Sequence, residues 1–144
     1  MNLSTKSRYG LKAAVDLAGV YGTGTLTLME LAECQGVSEA YLERILRLLR
    51  QADIVDSVRG VNGGYALKKD PSKLSVEEVL EALEGDTALT ECVGKQAKPC
   101  KNACICSARP LFLTLQNRID EVLKNTTIQD LLDENRIQRR RFDQ

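Results

Sequence analysis

The sequence predicts a mainly α-helical fold with one small β-hairpin, and three observations support this. Two short capped helices are separated by a turn at Gly36, a glycine-rich hairpin pattern follows them, and a long amphipathic segment follows Pro110. A chain of 144 residues, 43% hydrophobic and 28% charged, is long enough for one compact domain with an appended helix. We therefore expect a globular protein in which helices do most of the packing.

The N-terminal part contains three predicted helices. The first covers Ser4–Tyr21, where apolar residues recur at helical spacing before a glycine-containing break. The second covers Thr27–Gly36 and opens with the spacing of a capping box. The third is capped by Ser38 and runs to about Ala52. Its predicted apolar stripe is Tyr41, Ile45, Leu48 and Leu49.

A hairpin is predicted directly after the third helix. Residues 53–59 alternate in polarity like a strand, residues 60–64 contain three glycines, and residues 65–67 return as a second strand. Two short helices joined by a tight turn are the pattern of a helix-turn-helix, and the hairpin makes it a winged helix-turn-helix. Ser75 then opens a further helix, again with a capping box, that ends near Glu84.

The C-terminal part combines a cysteine-rich loop with two more predicted helices. Residues 86–106 have no regular periodicity, and Pro110 suits the first turn of a long helix. A short helix is expected over Thr127–Glu134, and the polar, basic tail Arg136–Gln144 is expected to fray. The apolar face of the long helix is Leu111, Leu115, Ile119, Val122 and Leu123. The predicted divisions are the winged helix-turn-helix domain (1–84), the cysteine loop (85–107), the dimerisation helix with the short helix (108–135) and the polar tail (136–144).

Composition narrows the class of protein. The longest apolar runs are too short to span a bilayer, and Met1–Tyr9 is polar and basic, so a cytoplasmic protein without a membrane partner is expected. Twenty basic and twenty acidic side chains cancel, so a nucleic-acid-binding surface must gather its basic residues on one face. The chain contains no histidine, phosphate-binding loop or nucleophile elbow, and an enzyme is therefore not predicted.

The third helix is predicted to lie in the major groove of double-stranded DNA, with its N-terminal residues against base edges or phosphates. Glu43 can accept a hydrogen bond from a cytosine amino group, and Arg59 in the wing is placed to enter a narrow minor groove. The other candidate contacts are polar residues of the third helix and basic residues at the start of the first: Ser38, Glu39, Tyr41, Arg44, Arg47, Lys6 and Arg8. The alternative is an ordinary solvated helix face followed by an ordinary hairpin.

Five cysteines are present, and four of them crowd into one segment: Cys92, Cys100, Cys104 and Cys106. Thiolates are soft ligands for iron–sulfur clusters and for zinc, and the interspersed lysines favour the charged form. In a reducing cytosol this segment predicts a metal or redox site rather than disulfides. Structural zinc and a metal-free thiol switch are the alternatives to a cluster. Cys34 lies apart on the second helix and is expected to be a small core residue.

Four motifs together resemble one known family. They are the opening Leu3-Ser-Thr-Lys-Ser-Arg-Tyr9, the Tyr41-Leu42-Glu43 of the third helix, the glycine-containing wing run Ser57–Tyr65, and three cysteines before a long helix. In these respects the sequence resembles the IscR-like winged-helix repressors, which sense iron–sulfur cluster status. The resemblance extends over nearly the whole chain.

The resemblance implies a homodimer, built through the long C-terminal helix, that binds a palindromic operator in double-stranded DNA. It also implies an iron–sulfur cluster, 2Fe–2S with 4Fe–4S as the alternative, on Cys92, Cys100 and Cys106. By the same resemblance, Glu43 corresponds to the glutamate that chooses between operator classes, and Arg59 corresponds to the wing arginine.

The sequence departs from the family pattern at the fourth ligand. Arg109 stands where those repressors have a ligating histidine, and a guanidinium has no free lone pair for a metal. Cys104 is one candidate for the fourth position, and a carboxylate or an exchangeable site is the other. The expected function is a regulator of iron–sulfur cluster assembly genes that senses cluster status. The alternative is a cluster-free, thiol- or partner-regulated repressor of cysteine and sulfur metabolism.

Overall fold

The computed structural model describes residues 3–144. Met1 and Asn2, which belong to the predicted polar N-terminus, lie outside the described residues. The described residues form six α-helices and one two-stranded sheet. No helix in the described range is both long and apolar enough to cross a membrane. The order of elements confirms the predicted mainly α-helical fold with a small β wing. The elements are α1 (Thr5–Ala18), α2 (Leu28–Gln35), α3 (Glu39–Gln51), β1 (Val55–Val58), β2 (Gly64–Leu67), a 3-10 turn (Pro71–Lys73), α4 (Val76–Glu84), α5 (Arg109–Asn125) and α6 (Ile128–Phe142).

Local capping explains where most helices begin. The hydroxyls of Thr27, Ser75 and Thr127 each accept a bond from the backbone N–H three residues on, and the acidic side chain at that position accepts from the N–H of the cap. The boxes at Thr27 and Ser75 confirm the sequence prediction. Ser4 and Ser38 cap α1 and α3 through their hydroxyls.

The core is aliphatic and lies mainly between α1, α3 and α4. Ala13 and Ala14 of α1 are fully buried, and their small side chains let the neighbouring helices approach closely. Gly10 lies so near α4 that an added β-carbon would be 2.3 Å from the side chain of Leu83. The buried side chains of α3 are Leu42, Ile45, Leu46 and Leu49.

Two helix ends differ from the sequence prediction. α1 ends at Ala18 rather than Tyr21, where the chain enters a series of turns. α6 continues past Glu134 to Phe142, so the prediction of a frayed tail was wrong for residues 136–142. Once a buried first half has nucleated a helix, each further residue adds a hydrogen bond at small cost, and arginines near a helix C-terminus interact favourably with its dipole.

Two predictions about burial also need correction. The predicted stripe of α3 was incomplete, because Leu42 and Leu46 are buried while Tyr41 and Leu48 are half-buried at its edge. Cys34 is exposed, so its prediction as a core residue was wrong. Cys34 lies at the margin of the face that buries Leu31 and Ala32, where its thiol remains accessible to solvent.

α6 returns to pack on the winged helix-turn-helix. Ile128 and Leu132 belong to the same core as α1, α3 and α4. The start of α6 is also joined to the start of α4, because the N–H of Ile128 donates to the Leu74 carbonyl at 2.9 Å and the N–H of Val76 donates to Thr126 at 2.8 Å. The division of the chain after residues 84, 107 and 135 stays a prediction, and one core extends across those boundaries.

Candidate nucleic-acid interface and cysteine loop

A tight turn joins α2 to α3. Gly36 adopts a left-handed conformation, with a φ of 66°, and its N–H donates to the Glu33 carbonyl at 3.3 Å. Two residues later, the Ser38 hydroxyl accepts from the N–H of Tyr41 at 3.2 Å and begins α3. Ser38 is thereby fixed at the N-terminus of α3, the end of the helix that is predicted to meet DNA.

The polar residues predicted to meet DNA lie on the exposed face of α3. Glu39, Glu43, Arg44 and Arg47 are all exposed, and the core residues of the helix lie opposite them. Glu43 and Arg47 approach each other to 3.9 Å. Exposed ion pairs of this kind contribute little to stability, so both side chains are free to turn toward a base or a phosphate.

Tyr41 has a partner within the chain. Its ring meets the ring of Tyr9 on α1 edge to face, with centroids 6.1 Å apart and planes at 89°. The Lys12 ammonium lies 5.1 Å from the centroid of the Tyr9 ring. Tyr41 therefore holds α3 against α1, and its contact with DNA stays a prediction.

The wing is fastened by backbone hydrogen bonds to the segment before α2. β1 and β2 pair antiparallel, with Val58 opposite Gly64. Leu26 and Tyr65 exchange two backbone hydrogen bonds of 2.7 and 3.1 Å, so Leu26 lies beside β2 like a short third strand. The Thr25 hydroxyl also donates to a carbonyl of the wing turn at 3.0 Å. These contacts hold the wing at a defined position beside the helix-turn-helix.

Arg59 projects from the wing turn, residues 59–63. Its side chain is exposed and has no ion-pair partner in the part of the chain that the structure describes, and Val61 in the same turn is fully exposed. Gly64, the first residue of β2, has a φ of 152°, and an added β-carbon there would lie 2.5 Å from the Leu26 carbonyl oxygen. The wing can therefore reach a DNA groove with Arg59, and that contact stays a prediction.

A carboxylate from α4 holds the first turn of α1. Glu84 Oε1 accepts from the N–H of Ser4 at 3.1 Å, from the Ser7 hydroxyl at 2.5 Å and from the Ser4 hydroxyl. Burial works to raise the pKa of Glu84, but these bonds and nearby Lys6 hold that pKa below its ordinary value. In this turn Lys6 is half-buried and Arg8 is exposed. Lys6 and Arg8, which are predicted to contact phosphates, therefore lie on a turn whose backbone is held in place.

The first half of the cysteine loop is docked on α4. Lys95 binds both Glu77, at 2.8 Å, and Glu81, and these carboxylates raise the pKa of its ammonium group above the ordinary value. Asp86 lies against Gly94, where an added β-carbon would be 2.3 Å from a carboxylate oxygen. Residues 86–96 are therefore positioned by α4.

Gln116 fixes the same part of the loop from α5. Its side chain is 3% exposed, and its Oε1 accepts from the N–H of Leu89 at 2.7 Å. Its Nε2 donates to Asp120 at 2.8 Å, one turn further along α5. Because both ends of a buried amide are bonded, Gln116 links the loop specifically to the long helix.

The four loop cysteines differ in how the fold holds them. All carry free thiols, and Cys92 is half-buried in the docked half of the loop. Cys100, Cys104 and Cys106 are exposed in the second half, residues 97–107, where the backbone bonds found in the described chain are local turns. Among residues 3–144, no three cysteine, histidine, aspartate or glutamate side chains are grouped as a metal site. The predicted ligand set therefore stays a prediction.

Arg109 opens α5 next to the cysteine loop. Its N–H donates to the Cys106 carbonyl at 3.4 Å, and within the described residues its buried Nε has no hydrogen-bond partner. The position for which the family resemblance implies a histidine ligand is therefore occupied by a half-buried cation.

The outer face of α5 is uncovered in the described chain. Leu111, Leu115 and Val122 are 58%, 42% and 63% exposed, and Ile119 is half-buried at the edge of this face. Leu123, which the sequence also assigns to the face, packs against the core instead. The exposed stripe is available to a second copy of the chain, and the dimer stays a prediction.

Sequence reasoning missed the side chains that connect these sites. Glu84 and Gln116 have partners 80 and 27 residues away, so no local pattern predicts their contacts. One usable signal exists for Glu84, because a carboxylate at the C-terminus of a helix is unfavourable with the helix dipole. Such a residue indicates a partner elsewhere in the fold.

Comparison with known proteins agrees with this geometry. A family model described as Rrf2, an iron-dependent transcriptional regulator, matches residues 3–134. The HTH-type transcriptional regulator CymR of Bacillus subtilis is 36% identical over 131 residues, which cover 91% of this chain and 89% of CymR. The regulator IscR of Sodalis glossinidius is 37% identical over 132 residues, covering 92% of this chain and 79% of IscR. The solved structure of B. subtilis CymR, described as the global cysteine regulator, has a TM-score of 0.82 at 31% identity and covers 93% of this chain and 98% of its own.

These likenesses extend over nearly the whole chain and include the helix-turn-helix, the wing and the long helix. They confirm the predicted resemblance to IscR-like regulators and the predicted class of DNA-binding transcription regulator. The sequences of IscR and CymR are nearly equally identical to that of this chain. The chain belongs to the Rrf2 family of transcriptional regulators.

Proposed function

We propose that this regulator senses iron–sulfur cluster status in the cytoplasm and controls iron–sulfur cluster assembly genes. The observation that carries the proposal is the cysteine loop, in which four free thiols lie within residues 92–106. Exposed thiols in irregular backbone do not serve packing, and thiolates are the ligands that iron–sulfur clusters prefer.

The donor set suits a cluster chemically. Cys92, Cys100 and Cys106 would hold it, with Cys92 as the fixed ligand because its segment is docked on α4 and its Sγ lies 3.2 Å from the Thr90 hydroxyl. The other two thiols lie in the exposed half, whose described backbone bonds are local, so this half can close on Cys92 without breaking the core. A bound cluster supplies a redox-sensitive group made of iron and sulfide, and its presence reports their supply.

The fourth coordination position has two candidates. Cys104 is exposed and lies two residues before Cys106, and neighbouring cysteines can reach different irons of one cluster. A carboxylate of this chain or of a partner copy is the other candidate. Incomplete thiolate ligation suits a labile 2Fe–2S sensor, with 4Fe–4S as the alternative form.

Contacts within the chain support a route by which a change in the loop would reach DNA. Lys95 binds α4 and Gln116 binds the loop to α5, so a change in the loop would act on both helices. α4 packs on α1 and α3, and α5 carries the exposed apolar stripe. Release of the loop would therefore alter how a dimer presents its two α3 helices.

We expect the regulator to bind DNA as a homodimer joined through α5. Two-fold symmetry then requires an inverted repeat, with the α3 helices in major grooves about one helical turn, or a small multiple of it, apart. Footprinting should show two symmetric half-sites. Binding of one asymmetric half-site by a monomer would contradict this arrangement.

A cluster-free regulator of cysteine and sulfur metabolism is the second candidate. It is favoured by the likeness to the global cysteine regulator CymR over nearly the whole chain. In that case the exposed thiols would act by oxidation or through a partner protein. The two candidates differ in whether the purified protein contains iron and sulfide.

The deciding experiment is anaerobic purification followed by a visible absorption spectrum and an iron and sulfide assay. Cys92→Ala, Cys100→Ala and Cys106→Ala should each abolish the chromophore, and Cys34→Ala, which changes an exposed cysteine outside the loop, should preserve it. Cys104→Ala tests the fourth ligand by loss or shift of the spectrum. Wild-type protein that binds only zinc, or loop variants that all keep a wild-type cluster, would contradict the sensing function.

A further inference from the structure

Ser4 takes part in two sets of hydrogen bonds at the start of α1, one within the helix and one to α4. Its Oγ accepts from the N–H of Ser7 at 3.2 Å and caps the helix, and its N–H and hydroxyl both donate to Glu84. Ser7, which also donates to Glu84, is fully buried. The cap of α1, its first turn and the end of α4 are therefore one hydrogen-bonded unit.

The carboxylate supplies a charge that α1 lacks. The first turn of α1 contains no acidic residue, although negative charge at a helix N-terminus is stabilising. Glu84 provides that charge from the last residue of α4, a position where a carboxylate opposes the dipole of its own helix. This placement favours a role at the junction of α1 and α4.

The same junction is the base of the cysteine loop. Gly85 follows Glu84 directly and leaves α4 with a φ of 77°. One and two turns earlier on α4, Glu81 and Glu77 bind Lys95 of the loop. Glu77, Glu81 and Glu84 recur at helical spacing, so one face of α4 contacts both the loop and α1.

We propose that Glu84 is a positioning residue for DNA binding, which fixes the first turn of α1 with Lys6 and Arg8 and joins that turn to the base of the cysteine loop. The inference rests on the proposed function, in which Lys6 and Arg8 contact phosphates and the loop responds to a cluster. Loss of the Glu84 contacts would therefore act first on the phosphate contacts of Lys6 and Arg8, which lie in the turn that Glu84 holds.

The first test uses the whole chain without a cluster and a duplex containing the inverted repeat that the wild type protects in a footprint. Glu84→Ala should weaken binding about tenfold and lower the slope of log affinity against log salt by about two, because Lys6 and Arg8 would each cease to neutralise a phosphate. Glu84→Gln keeps an acceptor oxygen and should retain most of the affinity and slope.

Controls separate positioning from simple loss of stability. Asp130→Ala removes a capping-box carboxylate of α6 and should lower stability without changing the salt slope. Lys6→Ala with Arg8→Ala should reproduce the slope change, and adding Glu84→Ala should cause no further loss. The proposal would be overturned if folded Glu84→Ala kept wild-type affinity and slope. It would also be overturned if the loss of affinity caused by Glu84→Ala added in full to the loss caused by Lys6→Ala with Arg8→Ala. If Glu84→Ala does not fold, Ser7→Ala removes one buried donor and should change affinity and slope in the same direction.

The link to the loop is tested by comparing cluster-loaded with cluster-free protein. The salt slope of the wild type should differ between the two forms, and in Glu84→Ala this difference should vanish. A variant that keeps the wild-type difference overturns the link. A wild type that takes up no cluster contradicts the proposed sensing function instead, and the first test still decides whether Glu84 positions α1.

Discussion

Replacing Gly64 by alanine tests how the wing is attached to the helix-turn-helix. A β-carbon at Gly64 would lie 2.5 Å from the carbonyl oxygen of Leu26 and 2.8 Å from its carbonyl carbon. Because both atoms belong to the backbone, no side-chain rotation relieves the overlap. β2 must therefore move away from Leu26, and the wing must move with it.

Two contributions set the magnitude. The backbone conformation at Gly64, with a φ of 152°, costs a residue that has a β-carbon about 1–3 kcal/mol. Separating β2 from Leu26 also breaks its two backbone hydrogen bonds with Tyr65, each with a net value of about 1 kcal/mol. We therefore expect Gly64→Ala to lower the free energy of unfolding by about 3–5 kcal/mol.

Gly22→Ala is the matched control. Gly22 also has a positive φ, 76°, but nothing lies within 4 Å of its β-position, so only the conformational cost of about 1–2 kcal/mol applies. Urea denaturation measures both losses, and operator affinity should fall only for Gly64→Ala because the wing carries Arg59. Equal losses of stability in the two variants would refute the close-contact argument.

Three further predictions concern the interface, the dimer and pH. Arg59→Ala should weaken operator binding by about 1–3 kcal/mol without changing the unfolding midpoint, and unchanged affinity at physiological salt would remove Arg59 from the interface. Leu115→Asp should split the dimer in sedimentation because it buries an unpaired charge, whereas Asn117→Asp on another face of α5 should not; a fully dimeric Leu115→Asp would contradict the assigned interface. The lowered pKa of Glu84 means that its stabilising contribution is present above its ordinary value of 4.5 and is lost as pH falls through the pKa of the folded state. Glu84→Gln should therefore lose less stability than the wild type on acidification, and identical pH profiles in urea denaturation would count against this assignment.

The helix-turn-helix and the wing could be predicted because their signals are local. A capping box joins residues three positions apart, so Thr27 and Ser75 mark the starts of α2 and α4 in any sequence window that contains them. Gly36 and Gly64 mark backbone conformations that other residues rarely adopt. Each of these features depends on short-range sterics and hydrogen bonds.

Burial was less predictable, because it depends on which helix face meets a neighbour. Cys34 is exposed although apolar residues precede it, because it lies at the margin of the face of α2 that buries Leu31 and Ala32. The polar C-terminal segment remains helical to Phe142 because Ile128 and Leu132 anchor the start of α6 in the core. Neither outcome is encoded in the composition of the segment concerned.

By itself, the sequence determined a winged helix-turn-helix with a cysteine-rich loop before a long helix, because caps, turns and residue spacing are local properties. Only the tertiary structure decided that Cys92 belongs to a docked half of that loop, that Lys95 binds α4 and that Glu84 reaches back to Ser4. The Glu84 contact joins residues 80 positions apart. Contacts over such distances exist only after whole helices have packed, so no pattern in the sequence specifies them in advance.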